Sequence, residues 1–468
     1  MFTHLVIRGG RAFFTRDHLA LAYSKITGTP LILSGPSLIA YWLMRLISVF
    51  YDVEKLKRGF GTARWGTIGY DERTLNVETH NVFDLPELRI SENRPQTLNV
   101  LVPAFTMDTI SAGFFGVFAF AIFAARCGIR VRLVLFENFF YDEKDFRESL
   151  KEYSGISDLL DKVEVTYIGH RAKPLLISPR DLAVATAWYS AYLADAIRRK
   201  CSAKYFMYLI QDYEPAFHPQ NSKFVLADNS YTMPYRPWFS TTPLRDFFLE
   251  KRLYAGEEWV DYCVYQNACS PARDPAASIA RKAKSVRRNF VFYCRPAVSR
   301  NLFHLGALSI IKAFRSGAFE SGYNWSFYGM GIQNTEIRLG ATTKLVQLPR
   351  MSLEDYQQRI GDFDLGLSLM ASPHPSLVPF DLAASGCVVV TNSFDTKTPS
   401  YFAGISTNIL CASPDLDSLV KFIALGVRKS GDLEQRLLGA KISYPSNWND
   451  CWTDQHRRFL RSCVMEAF

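Results

Sequence analysis

The chain reads as an α/β protein of two consecutive doubly wound units, each built on a parallel sheet, preceded by an N-terminal extension. Three observations predict this. From Leu98 onward, short apolar runs alternate with stretches of helical period, and the runs are too continuous to be half-exposed strands; this is the pattern of a parallel sheet covered on both faces. The 468 residues, 48% of them apolar, suffice for two or three compact units. A basic stretch, Arg281 to Arg288, divides the alternation into two series. No period of about 20–50 residues recurs, which argues against solenoids and propellers.

Residues 1–95 have mixed polarity, several turn signals and no clear period, and are expected as an extension packed on the first unit. The first series, 96–285, opens with a strand from Leu98, then a loop carrying Gly113 and Gly116 and an apolar helix ending near Gly128. Val131 to Phe136 and Val163 to Ile168 are strands. Ser178-Pro179-Arg180-Asp181 supplies an N-cap, a proline at the first helical position and an acid at the third, so a long helix is expected from there to about Lys200. Tyr205 to Ile210 and Phe224 to Ala227 follow as strands, and Thr242-Pro243 opens another helix. The second series, 286–446, runs through strand Asn289 to Tyr293, a helix near Phe303 to Phe314, strands Trp325 to Tyr328 and Lys344 to Leu348, and a helix capped by Ser352. Strand Leu365 to Leu369, a short helix from Phe380, strands Val388 to Val390 and Asn408 to Cys411, and a helix from Ser413-Pro414 complete it.

Lys and Arg number 54 against 45 Asp and Glu, a formal +9 that suits an anionic partner. Nucleic acid is not that partner, because no concentrated basic and aromatic face is present. Nine cysteines without a C-x-x-C pair give neither a disulfide framework nor a zinc site and point to a reducing, cytoplasmic setting. The start, Met1-Phe2-Thr3-His4, reaches Arg8 and Arg11 without a long apolar run, so no secretory leader is expected. Ser37 to Tyr51 is apolar but, at about 15 residues, is short of the ~20 that span a bilayer. A buried helix of the extension is expected there; the alternative is an in-plane amphipathic helix, which with the basic run from Arg281 would place the protein peripherally at the inner face of the cell membrane.

In open parallel sheets, ligands bind beyond the carboxyl ends of the strands. After strand Asn289 to Tyr293 stand Arg295 and Arg300, two guanidinium groups able to clamp a diphosphate with forked hydrogen bonds; exposed loop arginines are the blander reading. Gly329 and Gly331, after Trp325 to Tyr328, form a two-glycine turn where backbone approaches a nucleotide or simply turns. Arg350 offers a further cation beside the helix capped by Ser352. The stretch from Ser372 to Asn392 is the most informative. A polar, proline-stiffened loop with His374 and Ser376 opens a small-residue helix near Val378, whose free amides and positive end face an anion, while Asp381 in its first turn can accept from sugar hydroxyls. In the first unit, Asp212, Tyr213 and Glu214 follow a strand and place two carboxylates and a phenol at the cleft edge. Gly113 lies in a loop that could present amides to a phosphate.

No P-loop lysine motif, G-x-S-x-G, H-E-x-x-H or metal-spaced histidine pair occurs, nor an Asp-x-Asp pair of the kind that holds a sugar nucleotide through a divalent metal. No metal site and no cofactor are expected. Diphosphate charge, if bound, is neutralised by arginine and helix dipole, which points to metal-independent group transfer.

These residues resemble a known family. A pair of Rossmann-like units whose C-terminal member carries the anion-binding loops is similar to a GT-B glycosyltransferase, and that C-terminal unit resembles glycosyltransferase family 4. In that family an Arg, four residues and a Lys after the first donor-domain strand bind the donor diphosphate; Arg295 and Arg300 stand at those positions. Asp381 matches the second Glu of the family's Glu, seven residues, Glu motif, which holds the ribose, and the sequence continues Ala383-Ala384-Ser385-Gly386-Cys387-Val388-Val389. The first Glu is replaced by Pro373, which leaves its role near the donor sugar to His374 or a backbone amide.

Three blocks, Tyr208 to Pro215, Phe292 to Pro296 and Ser372 to Ser376, resemble the WsaF-type rhamnosyltransferases of bacterial surface-glycan synthesis, with similarity over roughly residues 98–465. The resemblance implies an acceptor domain over 96–285, a nucleotide-sugar donor domain over 286–446 and a helix in 447–468 that crosses back to the first domain. It further implies transfer of L-rhamnose from dTDP-β-L-rhamnose to a saccharide or lipid-linked glycan, with retention and without metal. The alternatives are an inverting GT-B enzyme using another nucleotide sugar, and a non-catalytic glycan-binding or assembly subunit with this fold.

Overall fold

The computed structural model of the chain describes residues 71–103, 112–137, 142–151, 153, 155–169, 173–254, 261–331 and 336–468. Ser37 to Tyr51 lies outside them. Both sheets lie in one compact body, Glu72–Phe468; the first sheet with its helices is the first unit, and the second sheet with its helices is the second.

The first sheet runs, in spatial order, Glu164–Tyr167, Val131–Leu135, Leu98–Val102, Leu182–Ala185, Phe206–Ile210, Tyr235–Phe239 and Cys263–Val264, all parallel. Every residue of its three central strands, Leu98–Val102, Leu182–Ala185 and Phe206–Ile210, is buried, because helices cover both faces, as the continuous apolar runs require. The second sheet runs Ile337–Arg338, Lys344–Gln347, Asn324–Met330, Arg287–Tyr293, Leu365–Leu367, Val388–Asn392 and Ile409–Ala412, parallel except for the antiparallel edge strand Ile337–Arg338. Each sheet carries a separate apolar cluster on either face. Helix Glu72–Glu78 and strand Leu88–Ile90 precede the first sheet, and Leu88–Ile90 pairs in parallel with Leu175–Ile177.

Four expectations are corrected. Ser178 to Asp181 does not open a helix: Leu182–Ala185 is a fully buried strand and the helix is Trp188–Lys200. Asp181 instead accepts from Thr97 N–H at 2.7 Å and Asn99 Nδ2 at 3.0 Å, and Arg132 donates to Asn99 Oδ1 at 2.7 Å, a buried polar network that outweighs the cap-like spelling. Phe224 to Ala227 lies in helix Ser222–Asn229, capped by Asn221, which accepts from Phe224 N–H at 3.2 Å; four apolar residues alone do not separate strand from helix, and the cap decides. Gly329 is not in a turn but inside strand Asn324–Met330, where a Cβ would meet Leu345 and Gln347 side chains at 2.4 and 2.5 Å. Gly113 likewise lies in helix Ala112–Arg126 rather than in a loop.

The chain ends by returning to the first sheet. Trp452 stacks on Phe123 at 4.8 Å, and the helix Asp454–Met465 sets Phe459 against Trp238 at 5.0 Å. His456 Nε2 bonds Val264 O at 2.9 Å and Tyr205 donates to Cys463 O at 3.1 Å. Aromatic burial supplies the adhesion and the buried polar tips find backbone partners.

Candidate active site between the two sheets

The second-sheet side is built by the loop after strand Arg287–Tyr293. Cys294 N–H donates to Met330 O at 2.7 Å, and a Cβ on Gly331 would lie 1.9 Å from Cys294 O. Only a glycine lets the two strand ends approach this closely. The half-buried Arg295 follows and donates to Tyr293 Oη at 3.2 Å. Arg300 sits in the short helix Ser299–Asn301 and points to the first-sheet side: its guanidinium lies 4.0 Å from the centre of the Phe217 ring, and its Nε is 3.6 Å from Asp212 Oδ2. That Nε is buried and makes no hydrogen bond.

The segment from Met370 to Ser376 closes the site. Asn392 accepts from Met370 N–H at 2.8 Å and donates to Met370 O at 3.1 Å, and Ala371 N–H donates to Arg300 O at 2.7 Å. Ser372 Oγ donates to Asp212 Oδ1 and accepts from His374 N–H. Ser376, at φ +66°, donates its N–H to His374 Nδ1 at 3.0 Å, so the neutral ring carries its proton on Nε2. Burial pushes the His374 imidazole down to about 4, with Asp212 opposing and Lys397 and Arg300 reinforcing the shift. At neutral pH His374 is therefore an uncharged Nε2–H donor.

Of the three first-unit residues expected at the cleft edge, only Asp212 meets the second sheet. Tyr213 turns back and donates to Asp228 Oδ1 at 3.0 Å. Glu214 accepts from Trp188 N–H at the start of helix Trp188–Lys200, and burial, reinforced by Asp212, pushes its carboxyl up to about 8. A phenol and a carboxyl following an apolar strand thus have partners inside their own unit. Gly113 approaches the Gln211 side chain, its Cβ position 3.4 Å from Gln211 Oε1, which also accepts from Asn267 Nδ2 at 3.3 Å.

Asp381, in helix Val378–Ala384, is buried with both oxygens engaged: Oδ1 accepts from Ser270 N–H and Oδ2 from Tyr356 Oη at 2.8 Å. Burial raises it to about 6. Through Ser270 it ties the helix to the segment that joins the two sheets. Val378 opens this helix half-buried, and Arg350 is exposed outside the cluster. Sequence reasoning gave no role to Ser372 as a contact of Asp212, to Gln211 and Asn392 although both lie in stretches it singled out, or to Asn267 and Lys397; polar residues after apolar strands were the available signal for Gln211 and Asn392, and none marked Lys397.

Comparison with known proteins fits this architecture. The WsaF N-terminal domain model matches residues 97–238 and the WsaF C-terminal domain model residues 288–424. The chain belongs to the WsaF family. The O-antigen biosynthesis protein RfbC of Myxococcus xanthus is 30% identical over 335 residues, which is 69% of this chain; the chain spans only 24% of that protein. Among solved structures, Anabaena Alr3699/HepE in complex with UDP and glucose superposes with a TM-score of 0.54 at 12% identity, covering 80% of this chain and all of that one. An α,α-trehalose-phosphate synthase (UDP-forming) from Burkholderia vietnamiensis gives 0.50 at 13% identity, over 78% of this chain and 98% of that one. At these identities the likeness is one of fold, and the fold is GT-B. Among the described residues no helix is long and apolar enough to cross a membrane.

Proposed function

We propose that this WsaF-family chain is a retaining, metal-independent glycosyltransferase that moves L-rhamnose from dTDP-β-L-rhamnose onto a bacterial surface polysaccharide or its lipid-linked precursor. The observation that carries the reading is the placing of Arg295 and Arg300 on the loop after a second-sheet strand, with Arg300 Nε 3.6 Å from the buried Asp212 carboxylate of the first unit. Membership of the WsaF family and the likeness to an O-antigen biosynthesis protein support the polysaccharide context.

In this reading, departure of the nucleoside diphosphate develops negative charge that Arg295, Arg300 and the Nε2–H of His374 stabilise where it forms. A preorganised donor costs no reorganisation during the reaction, and the neutral His374 supplies a hydrogen bond without a proton transfer. Asp212 orients the acceptor hydroxyl, whose proton passes to the leaving diphosphate on the same face. Closure of the two units excludes water from the donor. Membrane placement would rest on Arg281, Lys284 and Arg287, which are exposed; Lys282 and Arg288 of the same run are buried, so the basic run offers a smaller face than its spelling suggested.

The test is incubation of the protein and its Arg295→Ala variant with dTDP-β-L-rhamnose, UDP-glucose and GDP-mannose, with and without EDTA, measuring nucleoside diphosphate release and, with a glycan acceptor, product anomeric configuration by NMR. Release from dTDP-β-L-rhamnose that survives EDTA and disappears with Arg295→Ala, giving a product that retains the donor's β configuration, is expected. Release from another donor alone, or an α-linked product, overturns the donor or the stereochemistry.

A further inference from the structure

Lys397 is fully buried, yet it has no place in the chemistry above. Its ammonium makes one hydrogen bond, to Met370 O at 2.7 Å, and among the described residues no carboxylate is in ion-pair contact with it. A lysine buried without a carboxylate is costly, and a methionine would fill the same volume. The position therefore calls for a cation.

Two features show what that cation connects. Lys397 is the last residue of a tight turn: Phe394 and Lys397 exchange both backbone hydrogen bonds, at 3.0 and 2.9 Å, with Asp395 at φ +49°. The two residues at the tip of this turn grip the first unit. Thr396 Oγ1 donates to Pro243 O at 2.6 Å, and Lys251 pairs with Asp395 Oδ2 at 3.1 Å; Pro243 and Lys251 both belong to helix Thr242–Lys251. The base of the turn, through Lys397, holds Met370, and Met370 begins the segment in which Ser372 meets Asp212 and His374 is fixed. One rigid turn thus touches the first unit with its tip and the reactive segment with its base.

We propose that Lys397 is a positioning residue for transfer: seating of the turn on the first unit sets the Met370 carbonyl through Lys397, and so sets the segment 370–376 for reaction. The inference rests on the glycosyltransferase reading. Asp212 from the first unit, Cys411 from strand Ile409–Ala412, and His374 on the held segment are the titratable groups that couple to it. Cys411 is a neutral thiol at pH 7, pushed up to about 11 by burial, and Asp212 is the one acid favouring the ammonium. Burial lowers the Lys397 ammonium to about 7, so it loses its proton as pH rises through that value.

The experiment measures dTDP release from dTDP-β-L-rhamnose and the calorimetric Kd for dTDP in the wild type, Lys397→Met, Lys397→Arg, and Asp395→Asn combined with Thr396→Val. The last changes only the outer face of the turn and serves where Lys397→Met does not fold. Expected are a fall in kcat of about a hundredfold for Lys397→Met, the scale of a misplaced reactive group, with the dTDP Kd within about threefold, the same kind of split for the turn variant, and a wild-type alkaline limb near pH 7 that Lys397→Arg moves upward. A kcat unchanged in both the Lys397→Met and the turn variant, an equal loss in kcat and dTDP affinity, or an alkaline limb identical in Lys397→Arg overturns the proposal. Arg295→Ala run alongside separates the two readings: dTDP binding that ignores this change sinks the underlying assignment, whereas binding lost with Arg295→Ala while the Lys397 and turn variants behave as wild type sinks the positioning role alone.

Discussion

Asp364 holds three buried cations of the second unit together. Its Oδ1 accepts from Arg436 Nη1 at 2.8 Å and Lys282 Nζ at 3.0 Å and lies 3.7 Å from Arg288 Nε, while Oδ2 accepts from Asn289 N–H at 2.8 Å. All four side chains of this cluster are buried. Asp364→Asn keeps the shape and removes the one negative charge. The cations retain backbone carbonyls, such as Gly386 O for Arg436 and Phe363 O for Lys282, so local structure survives, but their charge loses its counterion. Breaking a buried pair in this way costs about 3–5 kcal/mol. For a unit of this size, at about 2–4 °C per kcal/mol, melting falls by roughly 6–20 °C. The pH dependence adds a further check. Burial lowers the Lys282 ammonium and Asp364 opposes that shift; without Asp364 the folded pKa drops further below its unfolded value. The unfolded chain then binds more protons over a wider range, so Asp364→Asn regains stability as pH rises toward the ordinary lysine range. Differential scanning fluorimetry from pH 6 to 10 reads both effects. A variant melting within about 2 °C of wild type at pH 7, less than 1 kcal/mol on the same scale, would refute the assignment of this carboxylate as the knot of the unit.

Gly331→Ala places a methyl into Cys294 O and is expected to cost about 1–3 kcal/mol of stability while weakening nucleotide binding by displacing the Arg295 loop, both read by thermal shift with and without dTDP. His374 is lowered to about 4 from 6.5, so the folded state loses stability as pH falls through that window, by about 3 kcal/mol in full; the stability lead of wild type over His374→Gln should shrink between pH 7 and 4 in guanidinium titrations. Asp212→Asn removes the internal carboxylate beside Arg300, and is expected to lower transfer while tightening dTDP by up to about tenfold, or about 1.4 kcal/mol, in a calorimetric titration.

The layered fold was legible because a strand buried on both faces is written as a largely apolar run, unbroken in Phe206–Ile210 and interrupted only by Asn99 in Leu98–Val102. Where local spelling competed with tertiary context, it misled. Ser178 to Asp181 mimics a helix start although Asp181 serves a buried network 82 residues away. Tyr235–Phe239 is hard to read as a strand because Pro237 argues against an inner position, yet it lies between two neighbours. At the site, Arg295, Arg300, His374 and Asp212 were readable as polar residues after apolar strands. Their pairing was not, since Ser372 and Asp212 are 160 residues apart and nothing local records that distance. Glu214, Tyr213 and Asp381 follow the same rule of position, but each found an internal partner that only the packed structure reveals. Lys397, spelled like a solvated loop lysine, carries no sequence signal of its burial.

Calorimetric titration of the wild type, Arg295→Ala and Arg300→Ala with dTDP tests the central claim most directly. Each arginine offers charge-assisted hydrogen bonds worth about 1.5–3 kcal/mol to a diphosphate, so the account predicts saturable wild-type binding weakened about tenfold or more in either variant. Absence of binding to dTDP, UDP and GDP alike, or a dissociation constant that neither substitution changes, would contradict it.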